Sequence, residues 1–343
     1  MKRSLSATVV ICIGARERLV LLQECVDSVL HGDRVPEEVL VVVDQNPPLA
    51  AELRDVLPAL VGVLETEGQG LSEARNVGIR AGSSDIVAFV DDDATVAPDW
   101  LSSMMAVFER QDDVLGVGGL AQPRWGADRR WLGDELLWVV GCTYRGHRPD
   151  AGPIRNPIGC NMAFRRSELI ALGAFATGFG KRGNALETCD ETELALRLES
   201  VRGPGRILYV PEARIRHFVP GSRISWRLLV RRSLSEGLSK GRLYRLYRRG
   251  ALAAEGAYFR QLVTGVVPHL IVGGIWTRDA RLIRRAAAIV ASLCITGTAF
   301  LVGAARAGRT GTPAISNFPQ DEQVPAAAQG HAPRDQRDAI SSS

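Results

Sequence analysis

The feature that most constrains this chain is an alternation running through its first 120 residues. Short, unbroken runs of β-branched and aliphatic residues occur at 7–13, 39–43, 61–64, 86–90 and 114–120. Between them lie stretches with helical apolar spacing, at 19–30, 50–60, 71–81 and 98–110. In the first of these, Leu22, Val26, Val29 and Leu30 recur on one helical face. A strand that is apolar at every position is buried on both sides, which parallel strands achieve through crossover helices. The pattern predicts an α/β fold with a doubly wound, mostly parallel sheet covered on both faces. Such sheets bind ligands beyond the carboxyl ends of their strands.

Composition agrees. With 46% apolar and 23% charged residues, the 343-residue chain reads as an ordinary globular protein. The net charge of +4 is too small to argue for nucleic acid as a partner. The charge is unevenly placed: residues 223–249 are rich in Arg and Lys, while acids cluster at 91–93 and 187–193. Cysteines at 12, 25, 142, 160, 189 and 294 form no CxxC pair, which argues against zinc. Several lie in apolar runs, as free thiols do in a reducing compartment. The first apolar run is followed by Arg16-Glu17-Arg18 with no small-residue cleavage site, so it reads as a strand and not a secretory signal. A cytoplasmic location is expected.

Beyond residue 120 the pattern loosens. Residues 122–156 hold Trp125, Trp131, Trp138 and Tyr144, which read as packing under a long loop. Residues 158–165 are strand-like, 190–200 helical, and 207–210 and 213–217 short strands. A basic amphipathic helix is expected at 224–247, broken near Gly237 or Gly241. Apolar stretches follow at 262–276 and 286–305, the second free of charge and flanked by Arg284-Arg285 and Arg306. Its length suits a spanning helix, and its Ala, Gly, Ser and Thr content equally suits a re-entrant or buried one. The tail from 308 has a disordered composition. The expected organisation is a catalytic domain at 1–222, a membrane-associating helical extension at 223–306 and a tail at 307–343.

Asp91-Asp92-Asp93 follows the run 86–90 directly, at the carboxyl end of a strand. Three adjacent carboxylates repel one another unless a cation sits among them. A divalent ion bridging phosphate oxygens would use one or two of them.

Phe89-Val90-Asp91-Asp92-Asp93 with Ala97-Pro98-Asp99-Trp100-Leu101 resembles the DxD turn of GT-A glycosyltransferases, in particular family 2. Further segments resemble that family in order. They are the first nucleotide-binding strand at 9–13, a second strand ending at Asp44, and Gly70-Leu71-Ser72-Glu73-Ala74-Arg75-Asn76-Val77-Gly78. Then come Gly159-Cys160-Asn161-Met162-Ala163-Phe164-Arg165-Arg166, Asp190-Glu191-Thr192-Glu193-Leu194, and His217. The resemblance spans about residues 7–249. It implies a GT-A fold, a Rossmann-like nucleotide-binding half plus an acceptor half, with a helical C-terminal extension. It departs from the family after strand one, where Ile13-Gly14-Ala15 replaces Thr-Tyr, and at Asp190-Glu191, where the two acids are exchanged in length.

The implied activity is inverting transfer of a sugar from a nucleotide-sugar donor, UDP-linked, to a hydroxyl of a lipid-linked sugar or nascent glycan. Some similar sequences extend glucosyl-dolichyl phosphate with glucuronic acid. By the resemblance, Asp93, Asp91 and His217 hold Mn²⁺ or Mg²⁺ against the diphosphate. Asp44, Arg75, Asn76, Asp91 and Asp92 contact the donor, and Asn161 and Arg165 face the acceptor. Imidazole suits Mn²⁺ better than Mg²⁺.

The general base is Glu191 or Asp190, with the family pattern favouring Glu191. Thr188-Cys189-Asp190-Glu191 also has the spacing of a capping box, in which Glu191 would bond back to a backbone amide. The basic residues 223–249 suit anionic lipid or a lipid phosphate, on the inner face of the cell membrane, or simply a solvated face. A processive synthase would show Q-x-x-R-W, and a nucleotidyltransferase G-x-G-x-R-L after strand one; the sequence has neither. A non-catalytic scaffold would have no need of acids at 91, 93, 190 and 191.

Overall fold

The parallel half of the sheet comprises β1 (Ala7–Ile13), β2 (Glu38–Val43), β3 (Val61–Glu65) and β4 (Ile86–Asp91), in the order β3-β2-β1-β4. Helices α1 (Leu19–Leu30), α2 (Pro47–Val56) and α3 (Leu71–Ala81) make the crossovers. The computed structural model describes residues 4–129, 131–180, 188–247 and 253–307. Alternate side chains of the strands enter two cores. Val9, Ile11 and Ile13 pack with α1, α2 and α4 (Trp100–Arg110). Val10, Val42, Val87 and Phe89 pack with α3, α5 (Arg166–Ala171) and α6 (Asp190–Arg202). The all-apolar strands are therefore covered on both faces, as their sequence requires.

Helix α2 begins earlier than its apolar spacing suggests. Asn46 Oδ1 accepts the Leu49 N–H at 3.3 Å, and Pro47 and Pro48 fill a first turn that needs no amide donors.

Beyond β4 the sheet is mixed. β8 (Asn161–Arg165) lies antiparallel between β4 and β6 (Gly116–Trp125). β9 (Ile207–Val219) runs parallel to β6 and antiparallel to β5 (Ala94–Val96) and β7 (Gly152–Pro153). The two short strands expected at 207–210 and 213–217 are one strand. Its register shifts opposite Gly119 and Leu120, beside Pro211, which has no amide hydrogen for the ladder.

The C-terminal helices are α7 (Trp226–Tyr247), α8 (Ala253–Gln261), α9 (Val267–Thr277) and α10 (Ala280–Ala307), with a π-helical turn at Leu262–Val266. α7 is not broken at its glycines. A Cβ at Gly237 would lie 2.4 Å from the Thr296 carbonyl oxygen, and one at Gly241 2.2 Å from that of Phe300. Glycine is there because two helix backbones touch. In the same seam the Ser233 and Ser292 hydroxyls bond at 3.0 Å.

The extension is fastened to the body. Tyr247 Oη donates to Glu193 (2.6 Å), Arg242 to the Gly178 carbonyl (2.7 Å), and the Thr188 amide to Ser239 Oγ (3.1 Å). Arg285 of α10 grips the fully buried Glu135 with a two-pronged contact at 2.6–2.9 Å. Trp131 stacks on Trp226 with ring centroids 5.0 Å apart, so this tryptophan packs as the loop reading expects. The tail expected to be disordered lies, from residue 308, outside the described residues.

Candidate active site

Asp91 closes β4, and the chain turns at once into β5, whose Ala94 pairs with His217 of β9. The Asp93 carbonyl accepts the Phe218 amide at 2.8 Å, which fixes the turn against β9. This hairpin-like return sets the acids beside the histidine. One ligand atom from each of Asp91, Asp93 and His217 falls within 4.8 Å of the others. His217 Nε2 is 2.9 Å from Asp93 Oδ1 and 3.9 Å from Asp91 Oδ2. Despite that closeness, Asp93 Oδ1 is buried with no donor in hydrogen-bond geometry. A buried carboxylate oxygen with no hydrogen-bond partner, facing an imidazole and a second carboxylate, fits a divalent cation. One imidazole and two carboxylates are a donor set suited to Mn²⁺.

Arginines crowd the same acids. Arg18 reaches Asp92 and lies 3.4 Å from Asp93, and Arg223 lies 3.2 Å from Asp93. Burial works against charge on His217, but Asp93, and then Cys142, outweigh it and raise its pKa to about 10. Burial likewise opposes charge on Asp93, and His217, Arg18 and Arg223 prevail, holding its carboxyl well below the usual range. Asp92 is pushed up to about 7 by burial, against the pull of Arg18.

Arg75, from α3, joins this cluster to a second one. Its Nη1 donates to Asp190 Oδ2 at 2.6 Å, its Nη2 to the Gly159 carbonyl at 2.7 Å, and Nη2 lies 3.8 Å from Asp91. Phe175 supports the guanidinium at 5.3 Å. Asp190 is thus committed to Arg75, with Ser72 Oγ at 3.5 Å. Glu191 is not. The Thr192 hydroxyl donates to its Oε1 at 3.4 Å, the Asp190 carboxyl adjoins it, and a Cβ at Gly159 would lie 3.6 Å from its Oε2. No capping box forms: the residue before α6 is Cys189 at φ 68°, and the Thr188 amide goes to Ser239. Burial, then the neighbouring Asp190 charge, raise the Glu191 pKa to about 8.

A family profile described as glycosyl transferase family 2 matches residues 9–173. A glucosyl-dolichyl phosphate glucuronosyltransferase of Haloferax volcanii is 31% identical over 76% of this chain and 83% of its own length. The chain belongs to glycosyltransferase family 2. The succinoglycan biosynthesis protein ExoM of Rhizobium meliloti is 26% identical over 62% of this glycosyltransferase and 68% of itself. Two solved structures share the GT-A fold. The mannosyltransferase PcManGT of Pyrobaculum calidifontis, in complex with GDP-Man and Mn²⁺, has a TM-score of 0.56 at 18% identity. It covers 86% of this chain and 88% of its own. GalNAc-T7 with UDP, GalNAc and Mn²⁺ has a TM-score of 0.50 at 15% identity, over 79% of this chain and 58% of its own.

Within the glycosyltransferase, several residues expected at the site serve the fold instead. Asn76 is fully buried, and its amide exchanges two 2.9 Å bonds with the Phe175 backbone. Asn161 is fully buried too. It accepts from the Trp100 indole (2.8 Å) and donates to the Leu120 and Ala213 carbonyls. Arg165 pairs with Ile86 at the opposite end of β4 from Asp91, and its guanidinium caps the carbonyls of Phe108, Gln111 and Val114. Asp44 directly follows β2, and its carboxylate takes the Gly70 amide at 3.0 Å and so sets the entry to α3.

The sequence alone assigns no site role to Arg18, Arg223 or Cys142. Arg18 sits in the segment where the family pattern departs. Arg223 is hidden at the start of a basic stretch. Cys142 Sγ lies 3.6 Å from His217 Nδ1, a contact that no spacing announces.

Proposed function

We propose that this glycosyltransferase transfers a sugar, with inversion, from a UDP-linked donor to a hydroxyl of a lipid-linked sugar at the inner face of the cell membrane. The observation that carries the reading is the orphaned Asp93 Oδ1 facing His217 Nε2, with Asp91 completing a three-ligand cradle. Bound there, Mn²⁺ or Mg²⁺ would neutralise the diphosphate leaving group as a Lewis acid. The residues of the chain do the rest. Arg18 and Arg223 lie where diphosphate oxygens would come, Asp44 and Arg75 line the donor side, and Asp190 holds Arg75 in place. Glu191, beside Gly159 and the Asp190 carboxyl, takes the proton from the acceptor hydroxyl. The lipid-linked acceptor is supported by the Haloferax volcanii relative, whose name specifies glucosyl-dolichyl phosphate.

The test is turnover of the full chain with a panel of UDP- and GDP-sugars and a polyprenyl-phosphate glucoside, with Mn²⁺ and with excess EDTA. A UDP-sugar should be consumed only with the metal, and Asp93→Ala should lose both metal-dependent donor binding and turnover. Full activity in EDTA, or preference for a GDP-sugar, overturns the corresponding part.

A further inference from the structure

Helix α10 has the length and apolarity of a membrane span, with a mean hydropathy of 2.0 over its best window. Its packing gives it a different orientation. One row, Ser292, Thr296, Ala299 and Gly303, meets α7, where Gly237 and Gly241 bring the backbones together. Contacts run from Ser233 against Ser292 to Gly241 against Gly303 and Ala304, so the two helices lie side by side and parallel. α7 carries Glu236 and Lys240 at those levels, and its Ser239 holds the Thr188 amide two residues before Asp190. If α10 crossed a bilayer, α7, its charges and the edge of the active site would enter the hydrocarbon with it.

The other side of α10 is open. Ile283, Ala287, Val290, Cys294 and Leu301 recur every three to seven residues on a face about 150–210° from the α7 row. Leu301 is 68% exposed. α9 packs against α10 through Gly274 and Ile283 and adds Ile275 and Trp276, 66% and 85% exposed. Arg278, Arg281 and Arg284 stand exposed at the α9–α10 junction. Between residues 256 and 307 the sequence has six arginines and one acid, Asp279.

We infer that α9 and α10 lie in the plane of an anionic membrane surface. Their open apolar face is half-immersed, the arginines sit at headgroup level, and no helix crosses. An apolar face, an exposed tryptophan and a basic border are what an interfacial helix needs. α8 continues from this surface to the acceptor side, where its Glu255 pairs with Lys240 (2.8 Å) and Arg155 (2.7 Å). A lipid-borne acceptor would then arrive beside Glu191 without leaving its bilayer. The inference stands apart from the proposed reaction, because partition and depth are read without substrate.

Cys294 is the exposed cysteine among the six, so a nitroxide can be placed on the native chain. Ile283→Cys and Leu301→Cys, each with Cys294→Ala, give two further sites along the helix. On vesicles of mixed phosphatidylcholine and phosphatidylglycerol, all three labels should show one shallow depth. A depth that changes steadily along the helix, reaching the bilayer centre, overturns the inference. Flotation should favour the mixed vesicles over phosphatidylcholine alone. The double variant Ile275→Asp, Trp276→Asp should lose roughly tenfold or more in partition while keeping its circular dichroism. Unchanged partition overturns the inference, as does a dimer that these substitutions split without altering flotation.

Discussion

Asp190 and Glu191 are neighbours in sequence with different environments. Asp190 is spent on Arg75, and Glu191 Oε2 lies beside Gly159. Glu191→Gln keeps size and cannot accept a proton. It should lower kcat by roughly 10²–10⁴ with donor affinity unchanged, read by steady-state kinetics and donor titration. The base must be ionised, and its pKa is raised, so wild-type kcat/KM should climb with pH up to about 8 and then level. The stability sign is opposite. The folded protein holds this proton from the ordinary 4.5 up to about 8, so Glu191 costs stability increasingly as pH rises through that window. Glu191→Gln should therefore raise the melting temperature at pH 8 and leave it unchanged at pH 4. A second prediction separates site from scaffold. Asn161→Ala would orphan the Trp100 indole and two buried carbonyls, costing about 1–3 kcal/mol in denaturant unfolding. KM for both substrates should stay near wild type. The clustering of Asp91, Asp93 and His217 was legible because their residue types announce chemistry. The backbone bonds of Asn76 and Asn161 were not legible, because a buried amide that braces backbone looks, in one sequence, like an amide that binds ligand.

At the scale of elements, the sequence conveyed β1 to β4 and α1 to α4 well, since continuous apolar strands and spaced helices leave few alternatives. It conveyed the mixed half poorly. The bulge beside Pro211 makes one strand resemble two, and β5 is three residues long, below any periodicity. The glycines of α7 read as breaks when they are contacts, because their reason lies on α10, more than fifty residues away. Gly237→Leu should force the seam apart and destabilise the protein by at least about 1–3 kcal/mol. Gly256→Ala is the control, since a Cβ there meets nothing within 4 Å, and helix propensity should make it neutral or stabilising by up to about 1 kcal/mol. Thermal unfolding of the two variants decides between a seam and a tolerant surface.

For the whole molecule, the nucleotide half and the acceptor half are joined at Arg75. One guanidinium answers to Asp91 on one side and to Asp190 on the other. On the proposed roles, charge arriving at Asp91 is felt at Asp190 through Arg75, and the two substrates are expected to be coupled. Linkage makes this mutual: the factor by which donor changes acceptor affinity is the factor by which acceptor changes donor affinity. In initial-rate measurements, the apparent KM for either substrate should shift as the other is raised. Arg75→Lys keeps the charge and loses the two-pronged reach. Its double-reciprocal lines should meet on the horizontal axis, the mark of two sites that no longer sense each other.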